Sequence, residues 1–351
     1  MAEIKRQKPE ALFQLFTTVA PSFFTGSGLF VERYEAVVTD IGLVQNSPLH
    51  EELDQTVTTV SRFLEMANIG DVVARLQSFS PDVVVSDISP LGIVAAKEAG
   101  IRSVLVENFT WDWIYEGYRH RHNGFDPLIE KLRTILDLAD TRIQCEPVTD
   151  RATVGPASKL HLVPPIARML QAGWSLPFPL TAGERYVLVS LGGIKSELPF
   201  LERLSGYPNT TFVIAGEQTK RIGNVVSFAS GDERFYHPNL VAAATIVVSK
   251  AGYSTVAEVY HSGVPFIVVE RPAFRESEPL IQFISDHNPT LPIAQGEFDS
   301  GAWLRLLEDP RLKTVSPSRL VAPIRENGAV RVARIILANT ERSTDSWTEA
   351  S

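Results

Sequence analysis

Short apolar runs rich in β-branched residues alternate with helical patterns along nearly the whole chain, which predicts strands separated by helices. In the first half the strands are FQLFTTV (Phe13 to Val19), PDVVVSD (Pro81 to Asp87), IRSVLVENF (Ile101 to Phe109) and TRIQC (Thr141 to Cys145). PLGIVAAKEAG, between the second and third, reads as a helix ending at Gly100, because glycine tolerates the left-handed turn that stops a helix. A more polar helix is predicted around Phe125 to Ala139. From Glu146 to Leu180 the periodicity fades while proline and glycine accumulate, as in a connection between domains. Beyond it come ERYVLVSLGG, TFVIAGE, NVVSFAS, TIVVSKAG, a helix, and VPFIVVE.

These strands are apolar on both sides of the pleat, the pattern of parallel sheets covered by helices on both faces. The expected fold class is therefore α/β, with two Rossmann-like, doubly wound parallel-sheet domains. Their expected bounds are residues 1–160 and 161–340, with a frayed tail over 341–351.

Composition narrows the function. A chain of 351 residues exceeds one ordinary core, in keeping with two domains. The formal charge of -8 carries no clustered basic excess and argues against a nucleic-acid or anionic-membrane partner. Cys145 is alone, so no internal disulfide forms and a reducing compartment is expected. With no apolar leader and no run long enough to span a bilayer, the expected location is cytoplasmic. Histidines show no metal-ligand spacing, and His120 and His122 read as exposed loop residues.

The candidate chemistry centres on VVSKAGYSTVAE, residues 247–258, where a strand runs through a small-residue turn into a helix. Ligands of such sheets bind beyond the carboxyl ends of strands, at helix N-termini. Gly252 lets the backbone turn tightly or approach a ligand. Ser254 and Thr255 occupy N-cap-like positions, and together with local amides can hold a diphosphate. Glu258 can accept from the two hydroxyls of a ribose. The same letters also spell a capping box, Thr255-Val-Ala-Glu258, that merely starts a helix. LVSLGGIKSE adds a second strand–turn–helix unit, with Gly192 and Gly193 in its turn.

The GG loop, together with FYHPNLVAAATIVVSKAGYSTVAEVYHSGVPFIVVERPAFRES, resembles the C-terminal domain of GT-B nucleotide-sugar glycosyltransferases. The nearest groups are plant-type UDP-glycosyltransferases and the N-acetylglucosaminyltransferase that forms lipid II. PDVVVSDISPLGIVAAKEAGIRSVLVENFTWDWIYEGY resembles the acceptor-side domain of a bacterial group of such proteins. The resemblance implies that Glu258 binds the ribose of a UDP-sugar, with Gly252, Ser254 and Thr255 on the phosphate side. It implies that Gly192 and Gly193 close on the diphosphate. Phe235 and Tyr236, at the helix start marked by His237, would contact the base, and Arg275 and Glu276 would reach toward the donor sugar. Tyr236 equally suits a core, and Arg275 with Glu276 a surface ion pair.

The implied reaction is attack of an acceptor hydroxyl on the anomeric carbon of a hexose-type sugar, with inversion and departure of UDP. No Asp-x-Asp pair occurs in the chain, so no metal and no cofactor beyond the donor are expected. The acceptor is a small molecule or a lipid-linked one. Asp87 is the candidate base or orienting residue; Glu107, Asn108, Trp111 and Trp113 are acceptor-side candidates. Trp111, Trp113 and Tyr115 could stack on an acceptor or cover the core. FQLFTTV matches the family's second strand, so the first strand–helix unit and its histidine-bearing loop are expected to be missing, by truncation. A non-catalytic nucleotide-sugar-binding or partner protein is the alternative.

Overall fold

The computed structural model describes residues 1–21, 24, 30–47, 50–149, 159–191, 198–216, 218–229, 232–312 and 325–340. The chain divides into two compact units. One comprises residues 1–46, 51–163 and the stretch from Gly328; the other is essentially Pro164–Asn327.

In the first unit, β1 (Gln14–Phe16) and β2 (Arg33–Glu35) form a parallel pair; β3 (Gln45–Ser47) and β4 (His50–Glu51) form a second two-stranded pair, of which Ser47 and His50 are grouped with the second unit. The main sheet is β5 (Val84–Asp87), β6 (Ser103–Glu107), β7 (Thr141–Cys145) and β8 (Lys159–Val163), in that order and parallel throughout. Ser89 caps the helix Pro90–Ala99 by accepting from the Gly92 amide, and Gly100 ends it with φ 68°, so β6 begins within three residues. The predicted connection over 146–180 contains a strand, β8, that pairs fully with β7. The helix Ala329–Ala338 packs on Ala2–Gln7, where the Gln7 amide donates to the Val330 carbonyl, and so belongs with this unit rather than with residues 161–327.

The second unit holds a seven-stranded sheet: β9 (Arg185–Ser190), β10 (Thr210–Gly216), β11 (Lys220–Ile222), β12 (Val225–Ala229), β13 (Ile246–Lys250), β14 (Phe266–Val269) and β15 (Thr290–Ile293). Their spatial order is β11-β12-β10-β9-β13-β14-β15, and only the β11–β12 pairing is antiparallel. Alternation along each strand sorts side chains between two cores. Tyr186, Leu188, Val247, Phe266 and Val268 enter one; Val187, Val189, Ile246, Val248, Ile267 and Val269 enter the other. Both faces are thus buried, which is why these strands read as unbroken apolar runs. Among the described residues, no helix is long and apolar enough to cross a membrane.

Phe200, Phe298 and Trp303 pack edge and face beside the far end of this sheet. Gly301 turns there at φ 69°, and a Cβ on it would lie 2.6 Å from the Cβ of Phe200. Gly301→Ala therefore combines a left-handed strain with a backbone-level clash, and a loss of about 2 kcal/mol or more is expected in urea unfolding.

Candidate functional site

The order of the second sheet reverses direction between β9 and β13, the crevice where open α/β sheets bind ligands. Ser190, the last residue of β9, sits in register with Ser249 of β13, and Lys250 ends β13. The helix Tyr253–Ser262 starts immediately beyond. Its N-cap is Gly252, in extended backbone at φ -133°, with no side-chain cap. A Cβ on Gly252 would meet nothing within 4 Å, so the glycine faces open space rather than relieving strain. Two sequence-based expectations change here. Ser254 and Thr255 are second and third residues of the helix, not its cap, because the chain enters helical dihedrals one turn-residue earlier. The Thr255–Glu258 capping box does not form, because the Glu258 carboxylate is turned to other donors.

Glu258 is 5 % exposed. Its Oε1 accepts from Arg168 Nη2 at 3.1 Å, and its Oε2 lies 2.6 Å from His237 Nδ1. The other ring nitrogen, His237 Nε2, is 3.1 Å from the Ser190 hydroxyl. The Arg168 guanidinium also lies 5.4 Å from the Tyr236 ring centre, and the Tyr236 hydroxyl donates to the Met169 carbonyl. Burial pushes the Tyr236 hydroxyl up, against the pull of Arg168. Tyr236, His237 and Glu258 are thus brought together as the sequence suggested, while Ser190 and Arg168 were missed. Arg168 lies in a stretch without regular structure, so no periodicity marks it; its only signal is a lone arginine after the Pro164-Pro165 pair.

Arg168 is held by a strap whose peptide groups pair with side chains. The Pro165 carbonyl bonds to His261 Nε2, the Ile166 amide to the Tyr253 hydroxyl, the Ala167 carbonyl to Asn327, and both polar groups of Gln171 to Asn239.

Phe235 requires a correction: it is a core residue, stacked 4.9 Å from Phe228, and its ring is not offered to a base. Glu276, 4 % exposed, lies beneath the surface, and Arg275 is half-buried. Arg271, also buried, lies 4.5 Å over Phe274, and its amide donates to the Ser277 hydroxyl. Burial and the nearby Arg271 draw the Lys250 ammonium down, against Glu276. Lys250, Arg271 and Glu276 therefore act on one another electrostatically at the carboxyl ends of β13 and β14, with Glu270 and Arg275 in the same loop. Gly192 and Gly193 lie outside the described residues.

In the first unit Asp87 ends β5, reaching solvent from a recess crowded by surrounding protein, which desolvates its carboxyl. Thr39–Gly42 is pinned above the neighbouring strand ends: the Thr39 carbonyl accepts from Ser89, Asp40 from Trp111 Nε1 at 3.0 Å, and the Ile41 carbonyl from Tyr115. Burial raises the Asp40 carboxyl, and burial together with the Asp40 charge raises Asp87. Asp40 was missed by sequence reasoning. Glu107 is buried against Arg142 at 2.8 Å, with burial still keeping its carboxyl above the ordinary range. The Asn108 carbonyl accepts from Thr149. Trp113 and Tyr115 are core residues, while Trp111 is half-buried and stacks on Tyr115. Among the described residues no group of acidic, histidine or cysteine side chains could hold a metal ion.

Residues 233–278 match the glycosyltransferase family 28 C-terminal domain, a segment that includes His237, Glu258 and Glu276. The solved structures the chain resembles share one architecture. The fold is GT-B. Phytolacca americana UGT2, complexed with UDP-2-fluoroglucose and pterostilbene, aligns with TM-score 0.61 at 13 % identity, over 97 % of this chain and 95 % of that one. Arabidopsis thaliana UGT89C1 gives 0.61 at 14 %, over 97 % and 95 %. Acinetobacter baumannii MurG gives 0.53 at 15 %, over 96 % and 94 %. An L-arabinokinase of Arabidopsis thaliana is 25 % identical over 311 residues, 83 % of this chain. The chain spans 28 % of that relative's length.

Glu258→Ala strands Arg168 and His237 beside a buried gap, and a loss on the order of 2 kcal/mol is expected in urea unfolding, with Glu258→Gln costing less. Asp40→Asn keeps the acceptor for Trp111 and removes a carboxylate whose ionisation the fold opposes. Its melting temperature should exceed that of the wild type at neutral pH. The gain should vanish as pH falls below the ordinary carboxylate range, where both folded and unfolded wild-type chains are protonated.

Proposed function

We propose that this chain is a UDP-sugar-dependent glycosyltransferase that moves a hexose-type sugar to the hydroxyl of a small or lipid-linked acceptor, with inversion and without a metal. The observation that carries this reading is the buried Glu258, inside the segment matching the family 28 domain and at the switch point of the second sheet. A carboxylate oxygen accepts two hydrogen bonds, so ribose hydroxyls can join His237 on Glu258 while the half-exposed Arg168 gives way. The open turn at Gly252, the amides of the following helix, Lys250 and Arg271 receive the diphosphate and stabilise its charge as it leaves. Gly192 and Gly193 complete that cradle by family resemblance, and Arg275 and Glu276 address the sugar. In the first unit, Asp87 takes the acceptor proton, its basicity raised by desolvation and further by the Asp40 charge. The UDP-2-fluoroglucose named with UGT2 supports a donor of this class. The protein works in the cytoplasm and binds no nucleic acid.

A second reading, a non-catalytic nucleotide-sugar-binding protein, draws support from one observation: both Glu258 oxygens are already engaged by protein donors.

Calorimetric titration with UDP, followed by assay of UDP release from UDP-glucose and UDP-N-acetylglucosamine over an acceptor panel, separates the two. UDP is expected to bind the wild type, with Glu258→Gln weaker by about tenfold. UDP release with acceptor supports the transferase; binding without turnover supports the second reading; absence of UDP binding overturns both.

A further inference from the structure

Ser190, His237 and Glu258 form a continuous hydrogen-bonded chain whose far end, the buried Ser190, closes β9 at the switch point of the second sheet. The chain has a definite polarity. A carboxylate only accepts, so His237 Nδ1 carries a hydrogen toward Glu258 Oε2, 2.6 Å away. The state of Nε2 then decides what Ser190 can offer. In the neutral imidazole Nε2 accepts, and Ser190, 3.1 Å away, commits its single O–H to the ring. In the imidazolium Nε2 donates to Oγ, and the serine hydrogen is released to point elsewhere. An anion at the end of β9 would face a lone pair in the first state and a donor in the second.

Charge favours the same switch. Glu258 is shared by Arg168 and His237, so the cluster is neutral with a neutral ring and carries one positive charge with a protonated one. Tyr236, the other polar side chain stacked near this group, stays un-ionised because burial raises its hydroxyl further.

We infer that Ser190 is a phosphate-binding group of the nucleotide site and that it becomes a donor through proton uptake at His237, a positioning residue held by Glu258. Binding of a nucleoside diphosphate is thereby coupled to a proton. The inference rests on the proposed function only in taking a nucleoside diphosphate as the ligand.

The test is calorimetry of UDP and of uridine on the full chain at about pH 8.5, above the ordinary histidine range, in Tris and in EPPS, whose ionisation enthalpies differ. For the wild type, the UDP enthalpy should depend on buffer in the sense of proton uptake, and the uridine enthalpy should not. Ser190→Ala should weaken UDP by about tenfold or more, leave uridine unchanged and abolish the uptake, with Ser190→Thr restoring both. His237→Gln should remove the uptake. Binding of UDP with a buffer-independent enthalpy, or unchanged UDP affinity in Ser190→Ala, overturns the inference while leaving the proposed function standing. Failure of the wild type to bind UDP overturns both.

Discussion

A carboxylate removed from water must be met by donors, and the second unit is organised around meeting the one on Glu258. Its two oxygens are taken by residues from distant parts of the chain, Arg168 and His237. Desolvating such a charge without partners would cost several kcal/mol, so each partner is in turn fixed. His237 begins a short helix and leans on Ser190; Arg168 rides on a strap and covers Tyr236. What looks like a set of separate contacts is one charge and its consequences.

The strap illustrates how irregular backbone can be held in place. Peptide groups without a helix or ladder partner still require one. Here Asn239, Asn327, Tyr253 and His261 supply it, each bonding the segment between Pro165 and Gln171. Side-chain amides suit this task because they donate and accept at once, which lets Asn239 satisfy both groups of Gln171. The result is a loop that positions a guanidinium with the definition usually expected of a helix.

Much of the architecture could be read from the chain, and the reason is local. β9, β13 and β14 are apolar on both faces, which only a covered parallel sheet allows, and Gly100 marked a helix end by its backbone freedom. Glu258 and His237 could be named because they sit on elements next to a strand end. The roles failed where a side chain's direction mattered: Phe235 turns into the core, and the Thr255–Glu258 spacing fits a capping box that tertiary donors override. Arg168 and Asp40 were illegible, since both lie in segments whose placement depends on contacts 70 to 90 residues away. β8 was lost in the same way, within a stretch whose composition signals a linker.

The second unit begins and ends at nearly the same place. Ala167, just inside its entry, exchanges hydrogen bonds with the side chain of Asn327, its last residue, and the chain then resumes in the first unit. Entry and exit are therefore clasped at one point. Such a body behaves as a cassette set into a host sequence: splicing it in, or cutting it out, changes the spacing of the host's flanking residues very little. This geometry would let evolution exchange such an insert while leaving the surrounding polypeptide to keep its own fold.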